Sequence, residues 1–152
     1  METVAEATKA KKQEYLGTGR RKTSVARVRI CEGSGKISIN GKTLEAYFTE
    51  AKERNAVLGP LQLCELQGRI DVRVLVHGGG FTGQGGAISQ GLARALKDMF
   101  GATEAPPPEG ELPGGFIKKL RDSDYLTRDD RMKERKKYGR KGARKSFQFS
   151  KR

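Results

Sequence analysis

Apolar and polar residues alternate along three short stretches of the chain, which is the pattern of β-strands with one buried face. The first strand is predicted at residues 25–31, and a second follows at residues 36–39. The third, at residues 70–76, has the most regular alternation. The apolar faces of the first and third strands carry Ala26, Val28 and Ile30, and Ile70, Val72, Val74 and Val76, respectively.

Turn-forming residues follow the first strand and end the second. Residues 32–35 read Glu-Gly-Ser-Gly, and Asn40-Gly41 is a strong signal for a tight turn. The sequence therefore predicts that residues 25–31 and 36–39 pair with each other as a β-hairpin.

Apolar residues recur in three other stretches, at mixed spacing in the first two and at helical spacing in the third. Residues 44–48 and 56–66 predict two short helices, with Gly59-Pro60 interrupting the second. A longer amphipathic helix is predicted after the glycine-rich run of residues 77–86, ending near Gly101. Its apolar stripe comprises Ile88, Leu92, Ala95, Leu96 and Met99.

The distribution of polar residues and prolines divides the chain into four segments. Residues 1–14 are polar and aperiodic, so we expect a disordered leader before a globular domain at residues 15–101. Residues 102–115 are rich in proline and glycine, which favours a linker. Residues 116–152 form a basic C-terminal extension that begins with a short helical piece. Beyond Arg131 it has too few apolar groups to offset its ordering entropy, so we expect it to become ordered only on a partner.

Positive charge is concentrated at the C-terminal end. The 152-residue chain has a formal net charge of +13, and residues 131–152 hold 11 basic side chains and one acidic, a net charge of +10. This surplus favours a polyanionic partner, either nucleic acid or an acidic membrane surface. The basic segment lacks the apolar face of a membrane-surface helix, and no apolar run is long enough to span a bilayer. The first residues lack the apolar core of a signal peptide, so we expect a cytoplasmic protein.

Cysteine and histidine side chains are too few for a zinc site, which needs about four ligands. Cys31 and Cys64 are isolated in sequence, and His77 is the only histidine. We interpret both cysteines as small buried apolar residues. His77 has no defined nucleophile beside it, so we expect no catalytic residue, no metal and no cofactor.

The glycine-rich run before the long helix has three interpretations. Gly78-x-Gly80-x-x-Gly83 formally satisfies the dinucleotide-binding fingerprint. However, the acidic residue that the fingerprint needs on a following strand would fall at Asp98 or Glu104, in the helix end and the linker. The glycines also suit a tight strand-to-helix connection. We favour a third interpretation, in which the bare backbone closely approaches a phosphodiester at a helix N-terminus. The residues assigned to this contact are Gly78, Gly79, Gly80 and Gln84.

Three consecutive cations, Arg20-Arg21-Lys22, precede the first predicted strand. Such a triplet is most often only a solvated face of a soluble protein. Arg27 and Arg29 add two more cations on the polar face of the same strand, and together the five side chains favour contact with RNA phosphates.

Aromatic residues interleave with the cations of the tail. Tyr138, Phe147 and Phe149 are spaced as stacking on bases or ribose requires, and Gly139 and Gly142 let the chain follow an irregular groove. A solubilising tail or a nuclear-localisation run accounts for the charge but not for the aromatics. The residues of the extension expected to bind RNA are Arg128, Arg131, Lys136, Lys137, Tyr138, Arg140, Lys141, Arg144 and Lys145.

Three classes of function follow from these features. The first is a structural RNA-binding protein, which uses both the domain and the tail. The second is a nucleotide-dependent enzyme built on the glycine-rich run, and the third is a DNA-compacting protein that uses the tail. We favour the first, which requires no small-molecule substrate.

Four ordered motifs resemble the bacterial branch of small-subunit ribosomal protein nine, the universal S-nine family. They are GTGRRKTSVARV at residues 17–28, the pattern Gly78-Gly79-Gly80-x-x-Gly83-Gln84-x-x-Ala87-x-x-x-Gly91-x-Ala93-Arg94-Ala95-Leu96, LTRDDR at residues 126–131, and ERKKY at residues 134–138 with a terminal QFSKR. The resemblance spans residues 15–152.

The resemblance implies an α+β fold with a four-stranded sheet and packed helices, like the second domain of ribosomal protein five of the small subunit, plus a long extended basic tail. It also implies binding to the 3′ major domain of small-subunit ribosomal RNA in the subunit head, beside neighbouring ribosomal proteins. The family's tail threads toward the peptidyl site. There Ser150, Lys151 and Arg152 would contact the anticodon stem-loop of the transfer RNA, with Arg152 on a phosphate.

Overall fold

The computed structural model describes residues 13–101 and 115–151. The predictions for the leader, the linker and Arg152 therefore lie almost wholly outside the described residues, and the segment boundaries stay predictions. The described strands are β1 Tyr15–Arg21, β2 Ser24–Glu32, β3 Ile37–Ile39, β4 Lys42–Thr43 and β5 Ile70–His77. The described helices are α1 Leu44–Tyr47, α2 Ala51–Leu63, α3 Phe81–Gly101 and α4 Gly115–Asp122.

The expected α+β class is confirmed, but the sheet has five strands rather than four. Its order is β1-β2-β5-β3-β4, and only the β3–β5 pair is parallel. The fifth strand is the two-residue β4, which Asn40 and Gly41 create by turning the chain back on β3. Both turn residues have positive φ angles, 49° and 80°.

The predicted hairpin between residues 25–31 and 36–39 is wrong, because β5 lies between those two strands. The glycine-containing stretch after β2 crosses the end of β5 instead of reversing tightly. The amide nitrogens of Ser34 and Lys36 donate to Asp71 Oδ1 at 2.8 and 2.9 Å, which fixes this crossing. The strand with the most regular apolar alternation thus takes the centre of the sheet.

The actual hairpin joins β1 to β2 through a turn at Lys22 and Thr23, and Lys22 adopts a φ of 53°. The sequence pattern hides β1 because glycines occupy inner-face positions. A Cβ on Gly17 would overlap the Gly91 carbonyl oxygen, and one on Gly19 would overlap that of Ala87. Helix α3 therefore crosses β1 at backbone contact distance, which only glycine permits.

One face of the sheet packs against α2 and α3 and forms the core. The alternating residues of β2 and β5 point into it, as predicted, together with Ile88, Leu92 and Leu96 of α3. Cys64 is buried, as predicted, whereas Cys31 is only half-buried. No helix in the described ranges is long and apolar enough to cross a membrane.

Three helix predictions need adjustment. Helix α3 begins at Phe81, so Gly83, Gly85 and Gly86 lie inside it rather than in the preceding loop. Helix α2 begins before residue 56 and continues through Pro60, because Pro60 is buried and core packing offsets the hydrogen bond that it removes. The short helices predicted near residues 44–48 and after the linker are confirmed as α1 and α4.

Candidate nucleic-acid interface

Among the residues that the structure describes, no helix covers the second face of the sheet, and most of its side chains are exposed to solvent. The register aligns its side chains in three rows across β1, β2 and β5. The rows are Leu16, Arg29 and Arg73; Thr18, Arg27 and Leu75; and Arg20, Val25 and His77. We call these nine residues the open sheet face.

Arginines dominate the open sheet face, as the alternation of the first predicted strand indicates for Arg27 and Arg29. Leu16 and Leu75 lie among them and are 59% and 56% exposed. The aligned backbone spacing of about 4.8 Å between strands brings neighbouring side chains within reach of one extended ligand. The surface therefore combines four cations with small apolar patches.

Arg29 and Arg73 lie directly opposite each other in the β2–β5 ladder. Like charges in this position destabilise a sheet. Arg29 Nη1 lies 3.8 Å from Glu14 Oε2, but both side chains are about half exposed, so this ion pair is weak. The burial of the inner face dictates the register. A polyanion on the open face would relieve the repulsion that this register imposes.

The structure separates the cations of the Arg20-Arg21-Lys22 triplet. Arg20 lies on the open sheet face, and its backbone nitrogen donates to Gln90 Oε1 at 2.8 Å. Lys22 is exposed in the hairpin turn. Arg21 falls on the inner side of β1, against Gly86 of α3, where it is partly buried. Only two of the three cations are therefore freely presented to a ligand.

Asp129 connects Arg21 to the start of the tail. Its Oδ2 lies 3.4 Å from Arg21 Nη2, and Arg131 forms a fork on the same carboxylate at 3.0 and 3.1 Å. The side-chain hydrogen bond from Arg131 lowers the pKa of Asp129 to about 2. The same contact raises the pKa of Arg131. At neutral pH this cluster therefore joins the domain to the tail through three charged groups.

The glycine-rich loop is held by contacts within the protein. A Cβ on Gly78 would crowd the Thr23 carbonyl, and one on Gly79 would overlap Ser24 Oγ. The Gly78 carbonyl accepts hydrogen bonds from Ser24 Oγ at 2.9 Å and from Gln84 Nε2 at 3.1 Å. Gln84 Oε1 in turn accepts from the Tyr47 hydroxyl at 2.8 Å. These contacts give the glycines a packing role, which favours the tight strand-to-helix connection.

A carboxyl group already lies at the first turn of α3. Glu53 of α2 is buried there, and its Oε1 accepts a hydrogen bond from the Thr82 hydroxyl at 3.0 Å. Glu53 lies beside Gly85. Its acidic side chain therefore occupies the helix N-terminus at which the third interpretation of the glycine-rich run expects an RNA phosphate. Gly80 remains exposed, and a Cβ on it would meet nothing within 4 Å.

The tail has no helix or strand between residues 131 and 151, but it is not extended throughout. The Lys137 amide donates to the Gly142 carbonyl at 3.4 Å, and the Lys141 amide donates to the Lys145 carbonyl at 2.9 Å. We call residues 134–145 the tail turn. Local hydrogen bonds reverse the chain in this part of the tail.

The tail turn presents its cations and Tyr138 outward. Its basic side chains are exposed, apart from their local contacts, and Tyr138 is 97% exposed. Lys141 Nζ of the turn lies 5.4 Å from the ring centroid of Phe147, which follows the turn, whereas Phe149 is 95% exposed. Ser150 and Lys151 are also exposed. Free aromatic faces and cations are the groups that single-stranded RNA binds.

The family model described as ribosomal protein S9/S16 matches residues 19–152. The chain belongs to the ribosomal protein S9/S16 family. The small ribosomal subunit protein uS9 of Rhodopirellula baltica is 50% identical over 139 residues, which cover 91% of this chain and 92% of the relative. The resemblance drawn from the four motifs is thereby confirmed. The S9/S16 family is a family of ribosomal proteins and not a class of enzymes.

The S9/S16 match includes most of the open sheet face and the whole tail turn. Within the described residues, no group of three or more His, Cys, Asp or Glu side chains is placed to hold a metal ion. Burial raises the pKa of the Cys64 thiol, which keeps that side chain neutral.

Sequence reasoning missed three residues that shape the S9/S16 chain's cationic surfaces. Arg73 lies on the polar face of the third predicted strand, so the alternation of residues 70–76 could have identified it as exposed. Asp129 and Glu134 are the acidic members of the cluster at the tail base and of the tail turn. Only their places in the LTRDDR and ERKKY motifs marked them in the sequence.

Proposed function

We propose that this protein is a structural constituent of the small ribosomal subunit and binds that subunit's ribosomal RNA. The main support is the register of the sheet, which sets Arg29 opposite Arg73 on the open face. These cations take no part in the core, so their concentration on one surface favours an anionic ligand. The relative from Rhodopirellula baltica, named as a small-subunit protein, supports the same assembly. The protein acts there as a scaffold in translation, on cytoplasmic ribosomes, without catalysis.

The open sheet face and the tail contact RNA in different ways. Arg20, Arg27, Arg29 and Arg73 neutralise phosphates from a rigid surface, while the tail inserts cations and aromatic rings among nucleotides. The site in the subunit is the head, on the 3′ major domain of the RNA, next to other ribosomal proteins. This finer placement rests on the family resemblance of the four motifs.

Salt dependence tests the RNA-binding role. Binding of the full chain to small-subunit ribosomal RNA should weaken linearly on a log-log plot, with a slope of about −0.7 to −0.9 per phosphate neutralised. Competition with duplex DNA of equal length distinguishes a DNA-compacting protein, for which both polymers would compete equally. A flat salt response, or equal competition by DNA, would refute the proposed role.

The end of the tail reaches the transfer RNA in the peptidyl site. Ser150 and Lys151 are exposed beyond the free ring of Phe149, as a contacting end requires. Arg152 lies outside the described residues, and its phosphate contact is inferred from the family's terminal motif. Deleting residues 150–152 should leave folding and subunit assembly intact but weaken transfer RNA binding to the peptidyl site. Unchanged transfer RNA affinity of purified mutant subunits would contradict this contact.

A further inference from the structure

The tail turn is closed by contacts within the tail itself. Besides the two backbone hydrogen bonds above, the Gly142 amide donates to the Lys145 carbonyl at 3.3 Å. Arg144 Nε lies 3.0 Å from Glu134 Oε2, and Arg140 Nη1 donates to the Arg144 carbonyl at 3.4 Å. All of these contacts join residues of the tail, and none of them involves the globular domain.

Gly139 lies at the apex of the tail turn, next to the exposed Tyr138. Its φ is 68°, in the left-handed region that favours glycine. A Cβ on Gly139 would meet nothing within 4 Å, so the backbone angle alone demands glycine there. Gly142 differs, because its φ lies outside this region and its Cβ would make only ordinary contact with Lys145, at 3.5 Å.

The ion pair is the weaker part of this closure. Arg144 is almost fully exposed and Glu134 about half exposed, and exposed pairs contribute little. Glu134 is also the only acidic side chain of residues 131–152, so its removal would change the electrostatics and the turn at once. The conformation of Gly139 is the feature that can be altered without touching charge.

We propose that the tail turn is the conformation in which the tail binds RNA, and that Gly139 is the positioning residue that preforms it. The turn presents Lys136, Lys137, Arg140 and Lys141 as one array to the phosphates of a single RNA segment. Preforming this array lowers the ordering cost of binding. The inference rests on the proposed RNA-binding function and adds to it a defined geometry for the tail.

A featureless polycation makes a different prediction for the same sequence. Its affinity depends on the number and spacing of charges, so neutral substitutions at either glycine would have equal and small effects. A preformed turn makes the two positions unequal. The comparison of neutral variants at Gly139 and Gly142 therefore separates the two descriptions.

The experiment measures binding of the full chain to small-subunit ribosomal RNA transcribed in vitro. Gly139→Ala should weaken binding about fivefold or more, because an alanine in the left-handed region is strained. Gly139→Asn should retain most of the affinity, since asparagine tolerates that region. Gly142→Ala is the matched control and should bind like the unaltered chain. The salt slope should stay the same for all four proteins, because none of the substitutions removes a cation.

Two outcomes would overturn the inference while leaving the proposed function in place. Either Gly139→Ala binds RNA as tightly as the unaltered chain, or Gly142→Ala is weakened as much as Gly139→Ala. If the unaltered chain itself fails to bind the RNA, the proposed function falls, and the role of the turn falls with it. Thermal unfolding of the variants should coincide, because the exposed tail does not contribute to the core.

Discussion

The open sheet face and the tail turn both present cationic side chains to solvent, but different forces hold these side chains in place. On the sheet, the buried residues of β2 and β5 fix the register, and each large apolar side chain contributes about 1.5–3 kcal/mol. In the tail turn, a few hydrogen bonds contribute about 0.5–1.5 kcal/mol each. The sheet cations are therefore positioned by the fold, whereas those of the tail depend on local conformation and on the partner.

This difference separates stability from binding. The repulsion between Arg29 and Arg73 is tolerated because the core beneath them is strong. The tail has no such core, and its turn is held only by local hydrogen bonds and one exposed ion pair among the described residues. Substitutions in the core should thus affect folding first, and substitutions on either cationic surface should affect binding alone.

The largest effect should come from the contact between β1 and α3. Gly19→Ala would force a Cβ into the Ala87 carbonyl. The clash is with backbone atoms of α3, which cannot move aside as a flexible side chain could. We expect a loss of about 3 kcal/mol in the free energy of unfolding. For a domain of this size, the melting temperature should fall by about 12–24 °C. Thermal unfolding followed by circular dichroism measures this shift.

Gly80→Ala is the matched control for this substitution. Gly80 has a φ outside the left-handed region, and nothing lies within 4 Å of a Cβ placed there. Its free energy of unfolding should change by less than about 0.5 kcal/mol. Equal melting temperatures for the two variants would show that α3 does not cross β1 at backbone distance.

An intermediate effect, on binding alone, should follow from neutralising the open sheet face. Replacing Arg27, Arg29 and Arg73 with glutamine should make the salt slope for ribosomal RNA shallower by about 2 to 2.7. The melting temperature should stay the same or rise slightly, since the Arg29–Arg73 repulsion is lost. Binding isotherms at four or more salt concentrations, with a melting curve for each protein, measure both quantities.

A triple variant on the helices provides the control. Lys52, Lys97 and Lys118 are exposed on α2, α3 and α4, so changing them to glutamine removes the same total charge from other surfaces. If both triple variants lost the same amount of salt slope, RNA binding would depend on the net charge of the protein and not on the open sheet face.

The sequence predicted those elements whose own side chains make the core. The strand β5 and the C-terminal part of α3 were found because valines, leucines and isoleucines carry their periods. The strand β1 was missed because Gly17 and Gly19, which have no side chain, occupy its inner face. The hairpin error has a different cause, since local turn residues hold no information about β5, which enters the sheet more than 30 residues later.

The candidate interface was predictable to a similar extent. Arg27 and Arg29 were placed correctly on an exposed face, because strand alternation decides which way they point. The commitment of Arg21 to Asp129 was not predictable, since those residues are 108 positions apart in the chain. The tail turn depends on one backbone angle at Gly139, and glycine in a basic tail is equally compatible with an open chain.

The smallest effect concerns Asp129, which links Arg21 of the domain to the start of the tail. Its pKa should be about 2 in the intact protein, because Arg131 donates to the ionised carboxylate. Arg131→Gln should return the pKa toward the ordinary aspartate value of about 3.9. Carboxyl-carbon NMR titration of the full chain measures it. Arg128→Gln removes the same charge one residue from Asp129 and should leave the titration nearly unchanged, since Arg128 does not take part in this cluster.

The sign of the lowered pKa determines the pH range in which Asp129 is ionised and can accept from Arg131 and Arg21. A carboxyl group with a depressed folded-state pKa contributes its stabilisation above its unfolded value, and loses it as the pH falls through the folded value. The Arg21–Asp129–Arg131 cluster should therefore be complete above about pH 4 and dissolve toward pH 2. An ordinary titration of Asp129 near pH 4 in the unaltered chain would mean that Arg131 does not donate to this carboxylate.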